Sequence, residues 1–266
     1  MIRVGLFGCG SLAAIIGEQI RETLSDTHRV AAVYDTDREK TQALAGRLGC
    51  IAARSMEQFL ACDMDYVVEA AAPAALKAQG CSILLAGHSL IVLSAGAFAD
   101  PQFEASLTEA SVRSGKKVYV ASGAIGGFDA METAALMGIK KAVVINEKPP
   151  GAYAGAPFLE GRTLPEDQEV VLFEGSARQA IEAFPKNVNV AVAAARLSGG
   201  IEGTDIVIKS VPQMTNNSHK IIIQGDFGQM EMTFVSAPSA KNPGSSAMAA
   251  YSVIALLKKH NSRIEW

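Results

Sequence analysis

The feature that most constrains this chain is a glycine loop near its amino terminus. Residues 8–13 read GCGSLA, a G-x-G-x-x-A pattern that follows a short apolar segment and opens a helical pattern. In this setting Gly8 permits a tight turn, Gly10 lets the backbone approach a pyrophosphate, and Ala13 lets the helix pack closely on the strand. The free N–H groups at the start of the helix attract the anion. The loop favours a dinucleotide-binding domain, and a tight βα turn that binds nothing is the other interpretation.

A carboxylate follows the second apolar segment, where Asp35 comes directly after residues 30–34. At that position a carboxylate accepts hydrogen bonds from the adenosine ribose and repels the 2′-phosphate of NADP. We therefore expect NAD as the cofactor, with NADP as the alternative because Arg38 is close in sequence. The expected cofactor ligands in this half are Gly8, Gly10, Ser11, Leu12 and Asp35.

Short apolar segments alternate with helical patterns through the first half, which is typical of a parallel sheet wrapped by helices. We expect six strands, five of them at residues 2–7, 30–34, 66–68, 90–93 and 118–120. The second half has longer segments rich in β-branched residues, at 142–147, 168–174, 205–209, 218–224 and 231–235. These indicate a second sheet.

The predicted fold class is α/β, with an N-terminal Rossmann dinucleotide-binding domain and a second, smaller mixed α/β domain. The first domain is expected to span residues 1–121, and the second, for substrate, catalysis and oligomerisation, residues 122–244. The C-terminal helical segment 245–266 is expected to pack back on the first domain. The proline-rich residues 149–165 are expected to form a surface loop.

Composition excludes several classes of function. The 266 residues carry a net charge of −3, and only 19% are charged, so no basic face is available for nucleic acid. No segment is long and apolar enough to span a bilayer. The four cysteines show neither metal-ligand spacing nor a disulfide framework, so we expect no metal, and a cytoplasmic location.

Several segments together resemble the L-aspartate dehydrogenase family, and they cover almost the whole chain. They are VGLFGCG at residues 4–10, VEAA at 68–71, LSAGA at 93–97, ASGAIGGFDA at 121–130, NEKPP at 146–150, LFEGSAR at 172–178, FPKNVNVA at 184–191 and NSHKI at 217–221. The resemblance implies NAD(P)-dependent oxidation of L-aspartate to iminoaspartate, then hydrolysis to oxaloacetate and ammonia, or the reverse amination. It also implies a homodimer, and iminoaspartate that escapes hydrolysis would feed the synthesis of NAD.

The resemblance implies that His219 is the acid/base residue and that Ala124 and Asn189 contact NAD. From its local sequence alone His219 has two interpretations, a structural histidine in a strand or a group that relays protons because imidazole titrates near neutrality. The other three histidines, His28, His88 and His260, are expected at the surface. Asn187, close to Asn189, is expected to cap a helix.

The substrate carboxylates require cations or hydrogen-bond donors. By motif the candidates are Lys148 and Lys186 as cations, with Ser122, Asn217 and Thr163 as donors. A solvated surface lysine is the ordinary alternative for either cation.

Two rival functions remain at this stage. One is a Rossmann-type reductase of the homoserine dehydrogenase or dihydrodipicolinate reductase type, which shares the glycine loop. The other is a protein that senses the dinucleotide without turnover, which would need no proton-handling residue in the second domain.

Overall fold

The computed structural model describes residues 1–185, 189–239 and 242–264, and the chain divides into two compact units. Unit 1 consists of Met1–Gly123 together with the segment from Ala247 onward, and unit 2 is Ala124–Ser246.

Unit 1 contains a six-stranded parallel sheet with the strand order β3-β2-β1-β4-β5-β6. This is the order of a Rossmann fold, in which the chain returns to the centre of the sheet after β3. The strands are β1 (Ile2–Phe7), β2 (His28–Tyr34), β3 (Ile51–Ala52), β4 (Tyr66–Glu69), β5 (Ser89–Val92) and β6 (Val118–Val120).

Helices cover both faces of this sheet, because its central strands are apolar on both sides. The helices are α1 (Ser11–Thr23), α2 (Arg38–Leu48), α3 (Met56–Leu60), α4 (Pro73–Leu85), α5 (Pro101–Ser114) and α10 (Ala247–His260). One apolar cluster joins Val4 and Leu6 of β1 to α1, α2 and α10. A second cluster on the opposite face joins Val67 of β4 to α3, α4 and α5.

The last helix belongs to unit 1. Its residues Ala250, Val253 and Leu257 are fully buried in the same cluster as α1. In addition, Ser252 of α10 accepts a hydrogen bond from the backbone N–H of Gly123, at 3.1 Å. The C-terminal helix therefore holds the end of the segment that follows β6.

Unit 2 contains a five-stranded mixed sheet with the order β11-β10-β7-β9-β8, and a small pair β12-β13. Its strands are β7 (Ile139–Lys148), β8 (Val170–Ser176), β9 (Thr204–Ser210), β10 (Asn217–Gly225), β11 (Gly228–Ser236), β12 (Pro238–Ser239) and β13 (Asn242–Ser246). The helices are α6 (Phe128–Met137), α7 (Ala177–Ala183), α8 (Asn189–Leu197) and α9 (Gly200–Gly203). Helices α6, α7 and α8 pack on β10, β9 and β7 respectively.

The two-sheet α/β fold is confirmed, and the sequence located all but one of the strands of the two main sheets. The strand it did not locate, β3, has only two residues, which is too short for a periodic pattern. The proline-rich loop is tied to the sheet by Tyr153, which is 1% exposed and donates a hydrogen bond to the Lys209 carbonyl at 3.0 Å.

The surface expectation was wrong for His28 and His88, which are 2% and 6% exposed. His88 is buried because both of its ring nitrogens lie against backbone carbonyls, those of Met64 and Leu60, at 2.8 and 2.9 Å. Whichever ring nitrogen carries the proton therefore has a backbone acceptor within reach. Among the described helices none is long and apolar enough to cross a membrane.

Candidate active site

One face of the unit 2 sheet changes from apolar to polar towards one end. The alternating residues of β7 on this face are Ala142, Val144, Asn146 and Lys148, all buried. Strand pairing places Asn146 opposite His219 of β10, and Lys148 beside Ser210 of β9. Directly opposite residues in paired strands share a face. The polar side chains therefore lie together where β7 and β9 end.

We call this group the polar patch, and it consists of Asn146, Lys148, Ser210, Asn217 and His219. Asn217 shares the face of β10 that carries His219, because alternate residues of a strand point the same way. The exposed fractions of the five side chains are all 6% or less. The preceding positions on the same face, Val144, Ile206 and Ile221, are apolar and fully buried. Burying polar side chains is costly unless each finds a partner, so a group of them at the end of an apolar face indicates a ligand site.

Two atoms of the polar patch lack a hydrogen-bond partner within the described residues, the Asn146 Nδ2 and the Ser210 Oγ. Both can donate a hydrogen bond. Unpartnered donors beside a buried cation are suited to an anionic ligand.

His219 is held by a short hydrogen bond between its Nδ1 and the Oδ1 of Asn146, at 2.6 Å. Because an amide oxygen only accepts, Nδ1 carries the proton and Nε2 keeps its lone pair. Burial, together with the positive charge of Lys148, lowers the pKa of His219 to about 3. This differs from the titration near neutrality expected from the sequence, because the ring is 4% exposed rather than solvated. Without bound substrate the His219 imidazole is therefore neutral, and its Nε2 is available as a base.

Lys148 is the cation of the polar patch. Burial lowers its pKa to about 8, so the ammonium form still predominates at neutral pH. A buried ammonium group attracts a carboxylate much more strongly than a solvated one, because the local dielectric constant is low.

Helix α8 packs on β7, the strand that carries Asn146 and Lys148. Its first residue, Asn189, is exposed. Lys186 and Asn187, just before it, lie outside the described residues.

In unit 1 the glycine loop has the form that a pyrophosphate requires. Gly8 has φ +100°, and a Cβ there would lie 2.7 Å from the Ala70 carbonyl oxygen. At Gly10 a Cβ would meet nothing within 4 Å, and the residue is exposed. Within the described residues no side chain caps α1, and its first turn holds no acidic residue. The first turn of α1 is therefore without a side-chain cap from that part of the chain, and the space beside Gly10 suits a phosphate bound by the N–H groups of Ser11 and Leu12.

Asp35 joins the glycine loop to the loop after β2. Its Oδ2 accepts from the Cys9 N–H at 2.7 Å, and its Oδ1 accepts from the Asp37 N–H at 2.9 Å. The Oδ1 also accepts a long hydrogen bond from the Thr36 hydroxyl, at 3.4 Å. The carboxylate is only partly buried and retains a further lone pair. It can thus shape the loop and still accept from a ribose hydroxyl.

Other predicted residues are distributed between the units. Ser122 belongs to unit 1 and Ala124 begins unit 2, and both are half-buried. Gly123 between them has φ +67°, a conformation that glycine adopts readily. Thr163 is exposed in the proline-rich loop and is not part of the polar patch.

Comparison with known families identifies both halves of the chain. Residues 8–121 match the family model described as "Homoserine dehydrogenase, NAD binding domain", and residues 129–260 match "Aspartate dehydrogenase, C-terminal". An L-aspartate dehydrogenase from Methanosarcina mazei is 35% identical over 266 residues, covering 97% of both chains. The chain belongs to the L-aspartate dehydrogenase family.

Other relatives agree with this assignment. An L-aspartate dehydrogenase from Methanococcus maripaludis is 32% identical over 97% of this chain and 96% of its own. The crystal structure of aspartate dehydrogenase from Thermotoga maritima superposes with a TM-score of 0.74 at 25% identity, covering 100% of this chain and 99% of that one. A myo-inositol dehydrogenase from Corynebacterium glutamicum, with a TM-score of 0.56 and 17% identity, shares the fold alone.

Sequence reasoning missed two members of the polar patch, Asn146 and Ser210. A signal for Asn146 was present, because it continues the alternation of Ala142 and Val144 with a polar residue in phase. Ser210 gave a weaker signal at the end of the TDIVIKS strand. In this member of the L-aspartate dehydrogenase family both residues accompany His219 and Lys148, which the sequence did identify.

Proposed function

We propose that this chain catalyses the NAD(P)-dependent oxidative deamination of L-aspartate to iminoaspartate, which is hydrolysed to oxaloacetate and ammonia, or the reverse amination. The observation that carries the proposal is the polar patch, in which a buried cation and a neutral imidazole with a free Nε2 lie on one sheet face. The named activity of the relatives supports the choice of L-aspartate. A dicarboxylic amino acid supplies a carboxylate that a buried ammonium group attracts.

The cofactor is proposed to be held by Gly8, Gly10, Ser11, Leu12 and Asp35 of unit 1, with Ala124 and Asn189 of unit 2. The open first turn of α1 supports binding of the pyrophosphate there. When bound, the cofactor would supply the acceptor for a hydride from Cα of the substrate. The Asp35 carboxylate favours NAD over NADP because it repels a 2′-phosphate.

Lys148 is proposed to bind a substrate carboxylate, with Asn217 as a neighbouring donor. Ser122 and Lys186 remain proposed substrate ligands on sequence grounds. The carboxylate charge also opposes the effect of Lys148 on His219, so substrate binding raises the pKa of the imidazole from its low value.

His219 is proposed to manage the protons of the hydrolysis. As water attacks the carbon of the protonated imine, the C–O bond forms, the C=N π electrons move to nitrogen and one water proton moves to Nε2, giving a neutral carbinolamine. The imidazolium then protonates the amine nitrogen. As the C–N bond breaks, the hydroxyl proton passes through Nε2 to the departing ammonia, which leaves as ammonium beside oxaloacetate. The sum converts one protonated imine and one water into oxaloacetate and ammonium and regenerates neutral His219.

The experiment is absorbance at 340 nm with purified protein, NAD or NADP, and L-aspartate, L-homoserine or no substrate. We expect an increase that requires L-aspartate, with a lower KM for NAD than for NADP. Oxidation of homoserine instead would favour a homoserine dehydrogenase activity. A protein that binds NAD tightly but turns over none of these substrates would be a dinucleotide sensor.

The pH dependence of succinate binding tests the proposal that Lys148 binds a substrate carboxylate. Succinate is a suitable probe because it has two carboxylates and no amine to titrate. Because Lys148 loses its proton as the pH rises through about 8, we expect the Ki of succinate to be flat below that pH and to rise roughly tenfold per pH unit above it. Inhibition kinetics measured from pH 6 to 10 check this.

Two variants control this result. Lys148→Met is expected to raise the Ki of succinate at every pH and to abolish the pH dependence of that Ki. Lys209→Met removes a lysine on the opposite face of the sheet, where it pairs with Glu169, and should leave the profile unchanged. A rise in Ki above pH 8 that persists in Lys148→Met would exclude Lys148 as its source.

We also propose that the chain forms a homodimer through the other face of the unit 2 sheet. This face carries apolar side chains that are only partly buried, and two of them, Val171 and Val235, are 51% and 61% exposed. Exposed apolar sheet faces are typical of subunit contacts. Sedimentation equilibrium measures the mass of the assembly, and a monomer at micromolar concentration would contradict the proposal.

A cytoplasmic location is part of the same proposal. All four cysteines are free thiols, which suits a reducing compartment. Cell fractionation would test it, and recovery of the protein outside the cytoplasm would overturn it.

A further inference from the structure

We propose that Asn146 is a positioning residue that holds His219 in the tautomer able to act as a base. The inference deepens the proposed function, because it concerns the residue to which that function gives the protons. It rests on the hydrogen bond, the strand pairing and the burial of the two side chains.

The contact is enforced by the sheet. Asn146 and His219 are directly paired residues of the antiparallel strands β7 and β10, and their side chains leave the sheet on the same face. The 2.6 Å bond from Nδ1–H to Oδ1 is buried, with Asn146 and His219 only 3% and 4% exposed. Water has little access to replace the acceptor, so the amide oxygen alone decides which ring nitrogen carries the proton.

The opposite tautomer would be inactive as a base. If Nδ1 lost its acceptor, the proton could reside on Nε2, and that nitrogen would then be a donor when water must be deprotonated. The amide nitrogen of Asn146 also favours the orientation in which the amide oxygen faces Nδ1 of His219, once substrate is bound. Its Nδ2 has no partner among the described residues and lies in the polar patch beside Lys148. A substrate carboxylate that accepts from Nδ2 fixes the amide with its oxygen towards His219.

The charged groups on the elements around His219 leave this contact undisturbed. On the strands, Glu147, Lys220 and Glu231 leave the sheet on the face opposite to His219, and Lys140 and Lys141 lie at the far end of β7. The others are Lys148 on β7, Asp129 and Glu132 on α6, and Arg196 in the last turn of α8. The two carboxylates on α6 are exposed, and the β11 residue paired with His219 is the apolar Phe234. Lys148 is thus the charge that acts on the imidazole, and Asn146 is the neutral acceptor that orients it.

Two substitutions of Asn146 distinguish a role in orienting the His219 ring from a role in packing alone. Asn146→Leu keeps the branching of the side chain at Cγ, with somewhat larger groups, and removes the acceptor. We expect kcat with L-aspartate to fall roughly 10–100-fold, the range found for partners that orient functional histidines in metal sites. The KM for NAD should change by less than about twofold, since the glycine loop is untouched. Asn146→Asp keeps the acceptor oxygen and adds a charge, so the acid limb of the kcat profile should move up by about one pH unit or more.

Long-range ¹H–¹⁵N NMR of the labelled imidazole reads the tautomer without any turnover. We expect a single Nδ1–H tautomer in the wild type and in Asn146→Asp at pH 8, and an Nε2–H or mixed population in Asn146→Leu. Gln224→Glu is the matched control, because it makes the same amide-to-carboxylate change at the exposed far end of β10. It should alter neither the tautomer nor the pH profile.

The outcomes are distinct. If His219 keeps the wild-type tautomer in Asn146→Leu, the positioning role is wrong. It is also wrong if the activity of Asn146→Leu falls only in proportion to the folded protein and the kcat–pH profile of Asn146→Asp does not shift. If the wild-type enzyme does not oxidise L-aspartate, the proposed function fails, while the NMR result still decides what Asn146 does to His219.

Discussion

Replacing His219 with alanine is expected to lower kcat for L-aspartate by roughly 10²–10⁴, the range for loss of a general acid/base. The variant retains Lys148, proposed to bind the substrate carboxylate, and the glycine loop, proposed to bind the cofactor. It loses Nε2 of His219, which is proposed to receive the proton of the attacking water. Steady-state kinetics, combined with the Kd of NAD from fluorescence titration, measure the effect. The Kd of NAD should remain close to the wild-type value.

His88→Ala is the matched control for this substitution. His88 is also buried, but both of its ring nitrogens lie against backbone carbonyls in unit 1. Its loss should lower the thermal stability and leave kcat per folded molecule unchanged. Near-wild-type turnover in His219→Ala with intact NAD binding would refute the assignment.

Gly8→Ala is expected to destabilise the protein by about 2–5 kcal/mol, the sum of left-handed backbone strain and overpacking. The strain arises because Gly8 has φ +100°, and the overpacking because the new Cβ would lie 2.7–2.9 Å from backbone atoms of Ala70 and Ala71. Backbone atoms cannot rotate away from the new Cβ as the end of a flexible side chain can. Denaturant unfolding monitored by circular dichroism gives the free energy of unfolding.

The contrasting variant is Gly10→Ala. Its φ is −75° and a Cβ would meet no atom within 4 Å, so the free energy of unfolding should change by less than about 1 kcal/mol. If the open space is the pyrophosphate site, the Kd of NAD should nevertheless rise roughly tenfold or more, because the methyl group occupies it. Unchanged affinity in a stable Gly10→Ala protein would place the pyrophosphate elsewhere.

The fold could be predicted largely from the sequence because its signals are local. The parallel strands of unit 1 are continuous apolar segments, and their helices begin at recognisable positions such as Pro73 and Pro101. The glycine loop needs only its immediate neighbours to be interpreted. By contrast, β3 is too short to produce a periodic pattern, and the capping-box helix α7 was not recognised.

The polar patch was harder to predict because strand pairing, rather than spacing along the chain, creates it. Asn146 and His219 are 73 residues apart, and only the β7–β10 register brings them together. The low pKa of His219 likewise depends on burial and on Lys148, which lies two residues beyond Asn146 on a different strand from His219. Sequence reasoning named His219, Lys148 and Asn217 of the patch and overlooked Asn146 and Ser210.

The central claim is that a hydride leaves Cα of L-aspartate, and isotope transfer tests it most directly. The wild-type protein is incubated with NAD and L-aspartate deuterated at Cα, and the reduced cofactor is analysed by mass spectrometry. We expect NADH that carries the deuterium, formed with oxaloacetate and ammonia in equal amounts. NADH without deuterium, or no NADH in a folded protein that binds NAD, would contradict it.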